Sequence, residues 1–193
     1  MSNDQKGPKG AGKSSFELIA PDILTNALSV RPGSVVLDLA CGKGAYSFFL
    51  SEMVGENGLV YAVDLWEEGL LILENQIEAG GIKNIMPLLA DATKEIEIDE
   101  YSVDMCLMAA VLHDFEEAGQ TDTVLKQIKP LLKPNGRLAV IEFKKIEEPP
   151  GPPISTRLSG GEVDDLVSRH GFKKTKAIDV GDHNYLALFR IEG

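Results

Sequence analysis

Apolar residues fall into short unbroken runs, separated by longer stretches with helical spacing, and the two kinds alternate along most of the chain. Val35-Val36-Leu37-Asp38-Leu39 is the first run. Leu59-Val60-Tyr61-Ala62-Val63 is the second, closed by Asp64. Runs over 85–89, 103–109 and 137–143 predict three further strands, and 174–180 and 185–190 two more. Between them, 45–54 carries Phe48, Phe49 and Met53 one helical turn apart. The stretch 67–79 carries Leu70, Leu71, Leu73 and Ile77 and is stopped by Gly80-Gly81, while 116–132 predicts another helix. A short helix is expected after Pro21, ending before the turn Arg31-Pro32-Gly33. A last helix starts at Ser159, which has capping-box spacing to Glu162, and ends at His170-Gly171.

Strands rich in Val, Leu and Ile that alternate with helices predict a parallel sheet buried on both faces. The final two strands are joined by the short link Gly181-Asp182, which permits a hairpin but no parallel crossover. The expected class is therefore α/β: a seven-stranded, mostly parallel sheet with helices on both faces and a C-terminal antiparallel hairpin. Pro87 cannot donate to a ladder, so the third strand belongs at a sheet edge. At 193 residues the chain suits one domain over 16–193, preceded by a polar, flexible arm over 1–15. The stretch at about 144–160, stiffened by Pro149, Pro150, Pro152 and Pro153, follows the fifth strand and is expected to serve as a substrate loop.

Composition narrows the function. The longest uncharged apolar run, 105–112, is far short of the roughly 20 residues that span a bilayer as a helix. The start has no apolar signal core, and two cysteines make no disulfide framework, so a cytoplasmic protein is expected. Nineteen Lys plus Arg against 30 Asp plus Glu leave a formal charge of −11, which opposes nucleic-acid binding. Oligomeric state is not legible.

In an open parallel sheet, ligands sit beyond the carboxyl ends of the strands. The sequence puts Asp38, Gly42, Gly44, Asp64, Asp91 and the residues after Ala109 there. An acid about twenty residues beyond a glycine turn, as Asp64 is from Gly44, meets ribose hydroxyls in nucleotide folds. That spacing alone suits a dinucleotide or an adenosyl ligand. Asp38 just before the turn would repel a pyrophosphate, which needs bare N–H groups. S-adenosylmethionine (SAM) instead carries an ammonium and a sulfonium, which an acid suits. Asp38 equally serves as a cap of the turn through its backbone bonds, and the two roles can coexist.

Val36-Leu37-Asp38-Leu39-Ala40-Cys41-Gly42-Lys43-Gly44 resembles the first motif of class I SAM-dependent methyltransferases. Val63-Asp64 is similar to the family's ribose-binding position, and Leu89-Ala90-Asp91-Ala92 to its adenine-binding stretch. The segment from Asp104 to Phe115 is similar to the one lining the methionine and substrate side. Within the class, the chain is most similar to small-molecule methyltransferases related to quinone-biosynthesis enzymes. The resemblance implies a Rossmann-like fold over about 30–190 and SAM as cofactor, with S-adenosylhomocysteine (SAH) as product. It implies that Asp64 accepts both ribose hydroxyls and that Leu65 or Trp66 flanks the adenine. Asp91 would accept the adenine amino group, and the Ala92 N–H would meet a ring nitrogen. Asp38, Ala40, Gly42, Gly44 and Ala109 complete the implied cofactor set. Ala40 stands where the family's first glycine is usual, and is tolerable there if its φ is negative.

Methyl transfer needs positioning and a dry site, and a base only where the nucleophile loses a proton. His113-Asp114 follows the fourth strand and is the candidate catalytic pair; equally, His113 is a structural residue at a strand end. Glu142, Lys144, Lys145 and Arg157 either recognise a polar acceptor or form a solvated rim. Tyr46 opens the second helix within reach of the methionine end. Cys41 and Cys106 are expected on the first and fourth strands as buried thiols, and with His170 and His183 scattered no metal site is expected. Gly7-Pro8-Lys9-Gly10-Ala11-Gly12-Lys13-Ser14 matches GxxxxGK[ST], but no strand precedes it to aim its N–H groups, so NTPase chemistry is rejected. An arm closing over the ligand would touch it through Ser14, Ser15 and Phe16. The expected function is methyl transfer to a small-molecule acceptor. The alternatives are a non-enzymatic SAM-binding module and an NAD-dependent oxidoreductase, which Asp38 and the closing hairpin oppose.

Overall fold

The computed structural model describes residues 12–147 and 149–192, and among them the alternating pattern becomes seven strands and six helices. The strands are β1 (Val35–Leu39), β2 (Leu59–Asp64), β3 (Ile85–Leu89), β4 (Val103–Ala109), β5 (Leu132–Phe143), β6 (Phe172–Asp179) and β7 (Asn184–Ile191). The helices are α1 (Pro21–Leu28), α2 (Ala45–Val54), α3 (Glu67–Gly80), α4 (Leu112–Glu117), α5 (Thr121–Ile128) and α6 (Gly160–Ser168). The strands pair in the order β3-β2-β1-β4-β5-β7-β6. Strands β1 to β5 run parallel to one another, and β7 runs antiparallel to both β5 and β6. The fold is the expected one, and β3, with Pro87, lies at an edge.

Period-two alternation along β1 sorts its side chains between the two faces. Leu37 and Leu39 join Cys106, Met108, Val124, Ile128, Val163 and Val167 in a core under α5 and α6. Val36 joins Leu24, Leu28, Leu50, Val54, Leu73 and Met105 in a second core under α1, α2 and α3. Each fully buried Leu or Val contributes about 1.5–3 kcal/mol. Asp38 shares the face of Val36, so its carboxylate is aimed at α2.

Two local readings need correction. The helix expected over 116–132 is two helices, because Gly119 takes φ 66° after α4 and the Thr121 hydroxyl then bonds Glu116 at 2.7 Å to start α5. Strand β5 begins at Leu132 rather than at 137: Leu132 pairs with Val103, Arg137 with Met105, and residues 133–136 bulge out between them. A single 3₁₀ turn at Phe16–Leu18 precedes α1, and the Ala20 N–H donates to the Val180 carbonyl at 2.7 Å. Helix α6 has both halves of the Ser159–Glu162 capping box. Residues 1–11 of the flexible arm expected over 1–15, with residues 7–11 of the phosphate-loop-like stretch, lie outside the described residues. Among the described residues, no helix is long and apolar enough to cross a membrane.

Candidate active site

Strand order reverses at β1, whose two sides lead to β2 and β4, and a cavity of about 630 Å³ opens beyond the carboxyl ends of these strands. Asp38, Ala40 and Gly42 line it from the β1–α2 turn, and Asp64, Leu65 and Trp66 from the end of β2. Asp91 and Ala92 line it after β3, and Ala109 and Asp114 at the end of β4 and in α4. These positions are separated in sequence by up to 76 residues (38 to 114), and the parallel topology gathers them.

Asp64 organises the floor. Its Oδ2 accepts the Gly42 N–H and its Oδ1 the Trp66 N–H, both at 2.7 Å. The carboxylate therefore joins the glycine turn to the start of α3 while lining the cavity. Asp38 is buried and accepts the Ser47 hydroxyl at 2.6 Å. Burial pushes its pKa up to about 7, against the lowering bond from Ser47, and the charge of Asp64 adds to the rise. Among the described residues Asp38 has no cationic partner. Asp91 accepts the Thr93 hydroxyl at 2.6 Å and the Thr93 N–H at 2.9 Å, with Lys94 at 3.3 Å. Those bonds, led by the Thr93 hydroxyl, hold its carboxyl below the usual range.

Ala40 departs from expectation: its φ is 61°, in the left-handed region, so this alanine occupies the conformation that glycine takes without strain. Gly44 does not line the cavity. It is required by backbone and packing, since its φ is 81° and a Cβ there would clash with Leu73 Cδ1.

More of the wall comes from residues outside the expected cofactor set. Gly12 and Lys13 line it, together with the expected Ser14 and Ser15. The Ser15 and Tyr46 hydroxyls lie 2.8 Å apart, and the Phe16 ring packs edge-on against Tyr46 and tilted against Phe49. The segment is thereby pinned to α2. Lys43 sits over the Trp66 ring at 5.7 Å. Phe48, Phe115, Ala118 and Gln120 also line the cavity. Phe48 was visible in the helical spacing of α2 and Phe115 at the end of the resembling segment, whereas Ala118 and Gln120, between α4 and α5, carried no signal.

Other candidates lie elsewhere. His113 does not line the cavity; its ring is buried against Glu142, which has no exposed surface and is no part of a rim. None of residues 144–160 that are described lines the cavity, so the loop expected to hold substrate is not its wall. Lys144 pairs with Asp179 at 2.9 Å and Lys145 with Glu162 at 2.7 Å. The buried Arg157 guanidinium donates to the carbonyls of Lys144, Ile146, Pro150 and Pro152 and so ties the proline loop together. Cys106 is buried on β4 as expected, while Cys41 lies just past β1, in the turn, and is also buried. His170 pairs with Asp122 at 2.8 Å.

The donor set fits SAM: four carboxylates, two of them (Asp38 and Asp64) buried, oppose a pyrophosphate and suit an ammonium and ribose hydroxyls. Comparison with known proteins points the same way. The chain resembles the ubiquinone/menaquinone biosynthesis C-methyltransferase UbiE of Paraburkholderia phymatum, 36% identical over 122 residues, or 63% of this chain and 48% of that protein. It thus spans about half the length of the curated relatives it matches. A crystal structure of a SAM-dependent methyltransferase from Aquifex aeolicus superposes with a TM-score of 0.84, at 31% identity and 95% coverage of both chains. The 1,6-didemethyltoxoflavin-N1-methyltransferase of Burkholderia thailandensis, solved with 1,6-didemethyltoxoflavin and SAH, is 26% identical, with a TM-score of 0.65 over 90% of this chain and 77% of that one. The model of the ubiE/COQ5 methyltransferase family matches residues 19–151, more than half of the chain, and the chain belongs to that family.

Proposed function

We propose that the chain is a SAM-dependent methyltransferase acting on a small-molecule acceptor, a reduced quinone lacking a ring methyl group being the first to test. The observation that carries the reading is Asp38, a buried acid on the wall of an adenosyl-sized cavity, with no cation beside it among the described residues. Bound SAM supplies an electrophilic methyl carbon on a sulfonium.

The chain's own residues do the rest. Asp38 faces the ammonium end, and Asp64 receives ribose hydroxyls on the lone pairs its two backbone bonds leave over. Leu65 and Trp66 flank the base, while Asp91 and the Ala92 N–H read its edge. Phe48, Phe115 and the segment around Ser15 exclude water, which strengthens every charge interaction inside. Asp114 is the cavity-lining acid on the side of α4 and the place for the acceptor's polar group.

Calorimetric titration with SAH and with NADH, followed by transfer of a radiolabelled methyl group from SAM to the reduced quinone, tests the reading. SAH binding with no competition from NADH, and labelled product, are expected. NADH binding with indifference to SAH overturns it. SAH binding without transfer to any acceptor makes the chain a SAM-binding module instead.

A further inference from the structure

Behind the α4 wall lies a buried pair that the cavity residues do not explain. The Glu142 carboxylate, at the end of β5, has no exposed surface. The His113 backbone N–H donates to its Oε1 at 3.0 Å, and the His113 Nδ1 lies 3.0 Å from Oε1 and 2.9 Å from Oε2. The Phe143 N–H reaches Oε2 at 3.2 Å, and the Asn184 amide reaches the Glu142 carbonyl at 3.4 Å. Among the described residues, the ionisable group paired with this carboxylate is His113. A buried carboxylate without compensation costs several kcal/mol, so Nδ1 must carry a proton toward it. The opposite ring nitrogen, Nε2, then lies 3.6 Å from Oδ2 of Asp114, which lines the cavity.

We propose that Glu142 is a positioning residue for the transfer reaction: it locks the His113 ring so that Nε2 backs Asp114, and the pair passes the acceptor's proton away from the cavity. This rests on the methyl-transfer reading above. The acceptor's O–H, or the ring C–H once the methyl group is attached, breaks, and its proton goes to Asp114 Oδ2. The bonding electrons stay on the acceptor, which needs no oxidant. The proton moves from Asp114 to Nε2 of His113, and Glu142 balances the imidazolium that results. The 3.6 Å between Nε2 and Oδ2 is too long for a hydrogen bond before substrate arrives, and the proposal requires it to tighten in a loaded site. Groups facing the pair from other elements are Tyr46 of α2 and Tyr185 of β7, both within the field of Glu142, and Asp38 of β1 beyond Tyr46.

Imidazole-nitrogen NMR of isotope-labelled protein saturated with SAH provides the test. Wild type is expected to hold its His113 proton on Nδ1 and to titrate at Nε2. In Glu142→Gln the His113 midpoint should fall by about 1–3 pH units. Radiolabelled transfer to the reduced quinone should lose about 100-fold in kcat in this variant, with the KM for the acceptor kept within about twofold. The acidic limb of its kcat–pH profile should move with the NMR midpoint, and Glu142→Asp should restore part of the rate. An unmoved midpoint or an unmoved profile overturns the proposal. So does a wild-type ring protonated on Nε2 alone, a result that stands even if the variants fail to fold. Failure of wild type to bind SAH would instead defeat the methyl-transfer reading itself.

Discussion

Asp64 and Gly42 meet at 2.7 Å, a carboxylate oxygen on a backbone N–H, and this contact fixes the glycine turn against the end of β2. Asp64→Asn must turn an amide NH₂ toward either Gly42 or Trp66, both of which are donors. The variant should lose about 1–3 kcal/mol of stability in chemical denaturation, the cost of one donor facing a donor in a buried place. SAH affinity should drop at least tenfold in calorimetry. Unchanged affinity would place the ribose away from this acid.

Asp38 makes ligand binding depend on pH. In the folded chain its carboxyl is raised to about 7 from the ordinary aspartate value of 3.8. The folded state therefore holds a proton that the unfolded state has released, and this group erodes stability as pH climbs from about 4 to about 7, with no further loss above. Asp38→Asn should lack that decline, seen as a melting temperature that gains on wild type across the same window. An ammonium beside Asp38 requires the ionised form. SAH affinity should thus rise with pH, by up to about tenfold per unit below 7, and level off above it. In the Asn variant the slope should vanish.

Ala40 at φ 61° is strained, and about 1–2 kcal/mol of strain is set against the extra chain entropy of a glycine, about 0.5–1 kcal/mol. Ala40→Gly is expected to stabilise the fold by up to about 1 kcal/mol, with SAH affinity within about twofold of wild type. Destabilisation would mean that the methyl group packs usefully in the turn.

Arg157→Ala frees four carbonyls from a buried guanidinium and should cost about 2–4 kcal/mol in denaturant unfolding. Because no described residue of 144–160 lines the cavity, SAH binding below the unfolding transition should be unchanged. A weakened SAH affinity would bring the proline loop back to the site.

The positions of Asp38, Gly42, Asp64, Asp91 and Ala109 were legible because each lies at or just beyond the carboxyl end of an apolar run, and a parallel sheet puts all such ends on one side. The hairpin was legible from a link too short for anything else. The second wall of the cavity was legible only in part: Phe115 closes the segment whose resemblance marked the methionine side, while Gly12 and Lys13 approach through tertiary folding that no local period encodes. Glu142 looked like a rim charge because burial of a strand-end acid depends on the histidine that meets it, 29 residues earlier. The break at Gly119 was hidden inside a continuous helical pattern that a single left-handed residue interrupts. The sign of φ at Ala40 follows from the turn geometry, which composition does not report.

The last strand of the chain, β7, is an inner strand, held between β5 and β6. Until residues 184–191 have left the ribosome, the long strand β5 has an open side, a row of unpaired amides and carbonyls able to capture another nascent chain. The sheet therefore closes only when β7 inserts between two strands already made, and a truncation that removes β7 should yield aggregates rather than a smaller folded protein.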